Sequence, residues 1–328
     1  MIARIASRFP SRIAALAVAA ASCAAVAQPF PTKGPIRLVV GFAPGGGTDA
    51  IARALNTRLS EILNQSVVVE NRAGAGGAIA TEHVAKAPPD GYTVSFTLNN
   101  HAINQALYPK LPFDTERDLR GVTLIGALPQ VLAAHPSAPA STLAEFLQQA
   151  KGPDARARTY ASGGVGSPGH FAMAYLESLS RLDFVHIPYK GAGPAMTDVL
   201  GNQVPYILST LTGVLPHVRA GKLKALAVTS KVRAPVLPAV PTIAESGFAG
   251  YDMDTWIGTF VPRATPDAVV KVLHEATLEA LKSPAVRECI EAQAGRVATG
   301  SPADLDALVA ADIKTLSKIV KDRNIRPE

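Results

Sequence analysis

The chain has 328 residues, 48% hydrophobic and 5% aromatic, with a formal charge of +6 at pH 7. That mild basic excess carries no Lys/Arg stripe, which argues against a nucleic-acid binder. It is compatible with a small anionic ligand. The N-terminus sets the compartment. Arg4, Arg8 and Arg12 precede an apolar, alanine-rich run over 13–21, and Ala25-Val26-Ala27 follows ahead of Gln28. A charged start, a short apolar middle and an A-x-A end predict a signal peptide over 1–27 and export to the periplasm. The apolar run falls short of the roughly 20 residues that span a bilayer. Cys23 raises a rival, lipoprotein processing, but Ala20 stands where such signals carry Leu. Loss of the leader leaves 29 basic against 26 acidic residues, a charge of +3, and a single Cys289. An internal disulfide in the mature chain is thereby excluded.

About 300 mature residues exceed what one core commonly holds, so two domains are expected. Buried strands are predicted at Ile36–Val40, 66–70, 92–98 and 122–125. Between the first two, Ile51, Leu55, Leu59 and Leu63 recur every four residues, as in an amphipathic helix. Beyond Pro139 the alternation resumes with a helix at 142–150, a strand at 158–161, a helix at 171–179 and strands at 183–188 and 223–229. Ser301-Pro302 opens a C-terminal helix with Leu305, Leu308, Val309, Ile313 and Leu316 on one stripe. This order predicts α/β architecture with parallel sheets. The proline-bearing stretches 129–139 and 235–241 are candidate crossings between domains.

Three glycine-rich turns join a strand to a helix. The first is Phe42-Ala43-Pro44-Gly45-Gly46-Gly47-Thr48-Asp49. The second is Ser162-Gly163-Gly164-Val165-Gly166-Ser167-Pro168, with His170 one turn into its helix. The third is Lys190-Gly191-Ala192-Gly193-Pro194, opening the helix that holds Asp198. Glycines admit close approach of the backbone, and helix N-termini supply free N–H groups and a positive dipole end for a carboxylate or phosphate. Ligands of α/β sheets bind at such carboxyl-end turns. Each turn taken singly could equally be a capped turn.

Enzyme motifs are broken. Gly221-Lys222 lacks the first glycine of a P-loop and is followed by Leu223. Ile79 replaces the third glycine of the dinucleotide fingerprint that begins at Gly74-Ala75-Gly76. Val165 spoils the nucleophile elbow of a serine hydrolase around Ser167. The seven histidines show no metal-ligand spacing. No cofactor and no metal is expected. Tyr251 and Trp256 are read as core or hinge packing rather than cleft aromatics.

From about Pro35 to the C-terminus the sequence resembles the Bug-type extracytoplasmic receptors of tripartite tricarboxylate transporters. The resemblance is carried by Ile36–Val40 leading to Pro44-Gly45-Gly46, by Val69-Glu70-Asn71-Arg72 with Gly74-Ala75-Gly76-Gly77, and by Pro89-Asp90-Gly91-Tyr92-Thr93. It continues through Gly166-Ser167-Pro168, His186-Ile187-Pro188-Tyr189-Lys190-Gly191, the run 220–230, Pro241-Thr242-Ile243-Ala244-Glu245-Ser246-Gly247, and Trp256 with Gly258. It implies a monomeric two-domain periplasmic binding protein of Venus-flytrap type, with two Rossmann-like domains around a hinged cleft. The domains would be 28–129 plus 251–328, and 130–250. The implied ligand is a small carboxylate for a membrane transporter. The matching site positions are Phe42, Gly45, Gly46, Thr48 and Asp49, with Ala43 and Gly47 in the same loop, facing Ser162, Gly163, Gly166, Ser167, Lys190, Gly191 and Asp198. The segment 208–213, with Ser209 and Thr210, faces the cleft in the family and varies in sequence. Pro205 departs from the family's Gly-x-Val-Asp pattern. Service as the binding partner of a two-component sensor is the alternative reading.

Overall fold

The structure is a computed structural model that describes residues 30–327, so the expected leader, with Cys23 and the cleavage point, lies outside the described residues. β1 (Ile36–Val40) buries Ile36, Leu38, Val39 and Val40, as a strand covered on both faces must. It pairs in parallel with β2 (Val67–Asn71) and β3 (Thr93–Leu98). Between β1 and β2, α1 (Gly47–Leu63) lays Ile51, Leu55 and Leu59 against the sheet. Asn64 then takes the left-handed conformation that ends the helix. A glycine turn at 74–77 leads into α2 (Ala78–Ala85). After β3 come α3 (Asn100–Leu107), the single turn α4 (Thr115–Asp118) and the long strand β4 (Leu119–Leu128).

Pro129 separates β4 from β5 (Gln130–Ala134), which belongs to a different sheet. That sheet is completed by β6 (Thr159–Ser162), β7 (Val185–Pro188), β8 (Tyr206–Thr210) and β9 (Lys224–Val228). Its helices are α5 (Leu143–Ala150), α6 (Pro168–Ser180), α7 (Ala192–Leu200) and α8 (Leu211–Arg219). The chain then returns through β10 (Thr255–Pro262), α9 (Asp267–Ala280), α10 (Pro284–Ala292), β11 (Arg296–Gly300) and α11 (Pro302–Asp322). The strand orders are β11-β4-β10-β3-β1-β2 and β7-β6-β8-β5-β9. Each sheet has a parallel half, as the alternation of strands and helices predicts. The other half is antiparallel, where β10 meets β3 and β4, β11 meets β4, and β5 meets β8 and β9. A strand that has just changed sheets is not bound to a crossover helix, so the parallel rule does not govern it.

The outward crossing falls at Pro129, inside one of the two proline stretches. The return does not use the other. Val236, Leu237 and Val240 of that stretch pack on the core of the second sheet, and the chain crosses back over 243–254. Both crossings are tied side by side: Gln130 and Thr229 exchange backbone and side-chain hydrogen bonds, and Gln130 Nε2 donates to Thr255 Oγ1 at 3.2 Å. The C-terminal helix α11 spans the two halves. It starts with a capping box at Ser301 and Asp304, packs on α3 and β4, and reaches α6. Just beyond its end, Arg323 pairs with Asp183 at 2.6 Å.

Two buried carboxyls sit behind the crossings. Burial raises both Asp254 and Asp312 from 3.8 to about 6, although Arg296 opposes the shift at the first and the Trp256 indole N–H opposes it at the second. A folded-state pKa above the unfolded value means the native state holds the extra proton between pH 4 and 6. Each group then lowers stability as pH rises through that window. Asp312→Asn keeps an acceptor for Trp256 Nε1, which stands 2.7 Å from Asp312 Oδ2, and removes the charge. We expect it to raise stability at pH 8 by about 1–3 kcal/mol and to leave it unchanged at pH 4, as measured by urea denaturation. Equal effects at both pH values would contradict this account.

Candidate functional site

A cavity of about 590 Å³ opens between the carboxyl edges of the two sheets. Four helices begin at its wall, α3 with Asn100 among them. α1 contributes Gly47 and Thr48, α6 begins behind Ser167 and Pro168, and α8 follows Thr210 and contributes Thr212 and Gly213. The first turn of a helix carries N–H groups without intrahelical partners, and the dipole's positive end lies there. Among the described residues none that lines it is charged and none is a histidine. Positive potential therefore comes from backbone rather than from side-chain cations. Leu98, Leu107, Leu128 and Val165 make an apolar wall beside these ends.

The first glycine turn is held by Asp49. Its carboxylate accepts from Arg53 Nε at 2.8 Å, from Gly45 N at 2.9 Å and from Asn71 Nδ2 at 2.9 Å. The bond from Arg53, assisted by those from Gly45 and Asn71, holds Asp49 well below its ordinary range, at about 2, against the effect of burial. Asp49 is thus a brace of the loop, and the Gly45 N–H is spent on it. Ala43, Gly45 and Gly46 are exposed and stand off the cavity wall, while Phe42, Gly47 and Thr48 line it. Gly45 requires its left-handed φ of +85°, whereas Gly46, at φ −80°, has open space where a side chain would go.

The second turn brings Gly163, Gly166 and Ser167 to the cavity. Ser162 lies fully buried beneath them, with Oγ 2.7 Å from His186 Nε2. The Ser167 hydroxyl caps α6 by accepting from His170 N and donates to Ser162 Oγ, both at 3.2 Å. His170 Nδ1 accepts from Gly166 N at 3.2 Å, and its ring stacks on His186 with centroids 4.2 Å apart. Burial lowers His170 to about 4 and, with the neighbouring His170 ring assisting, lowers His186 to about 3. Both are neutral struts of the loop rather than cavity groups.

The third turn docks on the second and does not reach the cavity. Tyr189 N donates to Ser162 O and Gly191 N to Gly163 O, Asp198 accepts from Tyr189 Oη at 2.6 Å, and Lys190 is exposed. Thr210 lines the cavity, but Ser209 does not, because consecutive strand residues point to opposite faces. The sequence reading missed Asn100, Asn104 and Gln293, which line the wall. Asn104 Nδ2 donates to Gly76 O at 3.1 Å, fixing the glycine turn ahead of α2. The i, i+4 spacing of Asn100 and Asn104 just past a strand end was the available signal. Gln293 comes from a distant turn, where its carbonyl accepts from Thr212 Oγ1 of the opposite half, and no local pattern marks it.

The profile described as the tripartite tricarboxylate transporter family receptor matches residues 51–325. The chain belongs to this family. It is 34% identical over 309 residues to the protein BugT of Bordetella pertussis, covering 94% of each chain. Among solved structures it is similar to MatC of Rhodopseudomonas palustris with bound malate, at 32% identity and a TM-score of 0.74 over 89% of this chain and all of that one. A second R. palustris protein, solved with adipate, is 33% identical with a TM-score of 0.77, covering 91% of this chain and all of that one. The fold is that of a two-domain solute-binding protein, and a receptor of this family is not an enzyme. Among the described residues no helix is long and apolar enough to cross a membrane.

Proposed function

We propose that this receptor is exported to the periplasm and captures a small carboxylate, which it delivers as a monomer to the membrane subunits of its transporter. The observation that carries this is the opening of four helix N-termini, drawn from both sheets, onto one cavity lined by no charged side chain among the described residues. Such a site offers N–H donors and positive dipole ends to an anion at either end. The domains are 28–129 plus 251–328, and 130–250, with α11 as a strap over both. A mature start near Gln28 is expected from mass spectrometry of the exported protein.

The apolar wall narrows the ligand. Leu98, Leu107, Leu128 and Val165 favour a carboxylate with a methylene body over a short hydroxylated one. Each buried methylene contributes about 0.8 kcal/mol, enough for a preference of roughly tenfold or more for adipate over malate. Titration calorimetry against adipate, malate and the uncharged adipamide is the test. A ligand at a hundredfold excess over its Kd should also stabilise the fold by about 2.7 kcal/mol. Binding of adipamide as tight as that of adipate would sink the anion reading. A preference for malate would sink the assignment of the wall.

A further inference from the structure

The ribbon formed by β4 and β10 has two faces, and the family's cleft uses one. Leu128 pairs with Thr255, and both line the front cavity. The next pair, Ala127 and Trp256, therefore points backwards, and so does Asp254. On that rear face lies a second cavity of about 460 Å³, bounded by the ribbon, the return crossing and α11. Its wall has an apolar part, with Tyr175, Met253, Trp256 and Leu316, and an acidic part formed by Asp252, Asp254 and Asp312.

The acidic part has more acceptors than donors. Asn99 is 3% exposed and its Oδ1 has no hydrogen-bond partner. Asp252 Oδ1 and both Asp254 oxygens are buried and lack one as well. Arg296 Nη2 stands 2.7 Å from Asp254 Oδ2, yet off the line of a hydrogen bond, and its own Nη1 is unpartnered. Lys231 reaches Asp252 at 3.4 Å from an exposed position. Three carboxylates against one guanidinium and one ammonium leave the site one negative charge in excess. A buried acceptor without a donor costs free energy that a bound donor recovers. Among the described residues no three acidic, His or Cys side chains converge closely enough to hold a metal ion, whereas acceptors spread along one wall beside aromatic rings suit an N–H cation.

We propose that this rear cavity is a second ligand site, taking a primary ammonium ion whose apolar body lies against Tyr175 and Trp256. The ammonium donates to Asp254, Asp252 and Asn99 Oδ1, while Asp312 stays engaged by the Trp256 indole N–H. The site is independent of the carboxylate cleft on the opposite face of the ribbon.

Trp256 is the single tryptophan of the chain, so its fluorescence reports on this cavity. Titrating the full mature protein with phenethylammonium chloride should give a saturable change in Trp256 emission. The neutral analogue 2-phenylethanol should give none over the same range. Asp254→Asn should weaken the amine by about tenfold or more, the effect of losing a charge-assisted contact, and leave adipate affinity within about twofold. Asp252→Asn, at a half-exposed position, carries the same test if the first variant fails to fold. Acidification through pH 6 should weaken the amine as Asp254 and Asp312 take up protons. The absence of a saturable response, an equal response to the alcohol, or undiminished amine affinity in the folded Asp variants would each overturn the proposal. None of these outcomes bears on carboxylate capture.

Discussion

Gly169→Ala should destabilise the protein by about 2–3 kcal/mol, near the upper end of what overpacking one methyl costs. Gly169 lies buried in the first turn of α6. A Cβ there would overlap the carbonyl oxygen of Leu208, stand 3.1 Å from its carbonyl carbon and lie 3.3 Å from Gln130 Oε1. Leu208 is held in the middle of β8 and pairs with Leu132 of β5, so its backbone cannot retreat without breaking the ladder. The helix must move instead, and α6 is one of the helices whose start forms the cavity. Urea denaturation should show the stability loss, and calorimetry should show weaker carboxylate binding beside it. Gly46→Ala is the contrasting variant. Its φ is ordinary and the nearest atom to its Cβ, Ala43 O, is 3.9 Å away, so stability should change by less than about 0.5 kcal/mol. A stable Gly169→Ala with unaltered affinity would show that the strand–helix contact is not tight.

That contrast marks what a sequence can disclose. The run Gly45-Gly46-Gly47 draws the eye, yet the three glycines differ. Gly45 needs its positive φ, Gly47 packs against Gln293, and Gly46 needs nothing. Gly169 hides inside a helix, and its requirement arises from a strand some forty residues later. The strand-to-helix alternation was legible because hydrophobic period and glycine punctuation are local signals. The antiparallel halves were not, because β5 and β10 owe their places to the crossings. The same distinction holds within the site. Phe42, Gly47, Thr48, Gly163, Gly166, Ser167 and Thr210 meet at one cavity, since strand ends and helix starts are written in the sequence. Asp49, Ser162, His170 and Asp198 are polar residues beside those ends whose partners turn them inward. Which hydroxyl faces a ligand and which braces a loop depends on tertiary partners.

The last expectation rests on that distinction between hydroxyls. Ser167 is committed to its cap and to Ser162, so its loss would loosen the loop as well as the site. Among the described residues Thr48 and Thr210 make no side-chain hydrogen bond, although both line the cavity, one from each sheet. Thr48→Val and Thr210→Val preserve shape and delete one donor each. A hydrogen bond to a charged group contributes about 1.5–3 kcal/mol, so each variant should weaken adipate by roughly tenfold or more without changing stability by more than about 1 kcal/mol. If the domains hinge at 128–130 and 243–254, the ligand shifts the population toward the closed form in proportion to its differential affinity for it. The strap α11, anchored through Arg323 to Asp183, would confine opening to the front. Small-angle scattering should then show a smaller radius of gyration with saturating adipate. Each valine variant should need proportionately more ligand to reach the same compaction. A wild-type radius unchanged by a tight ligand would rule out hinge closure. Weakening by Thr48→Val with full tolerance of Thr210→Val would place the ligand on the first domain alone.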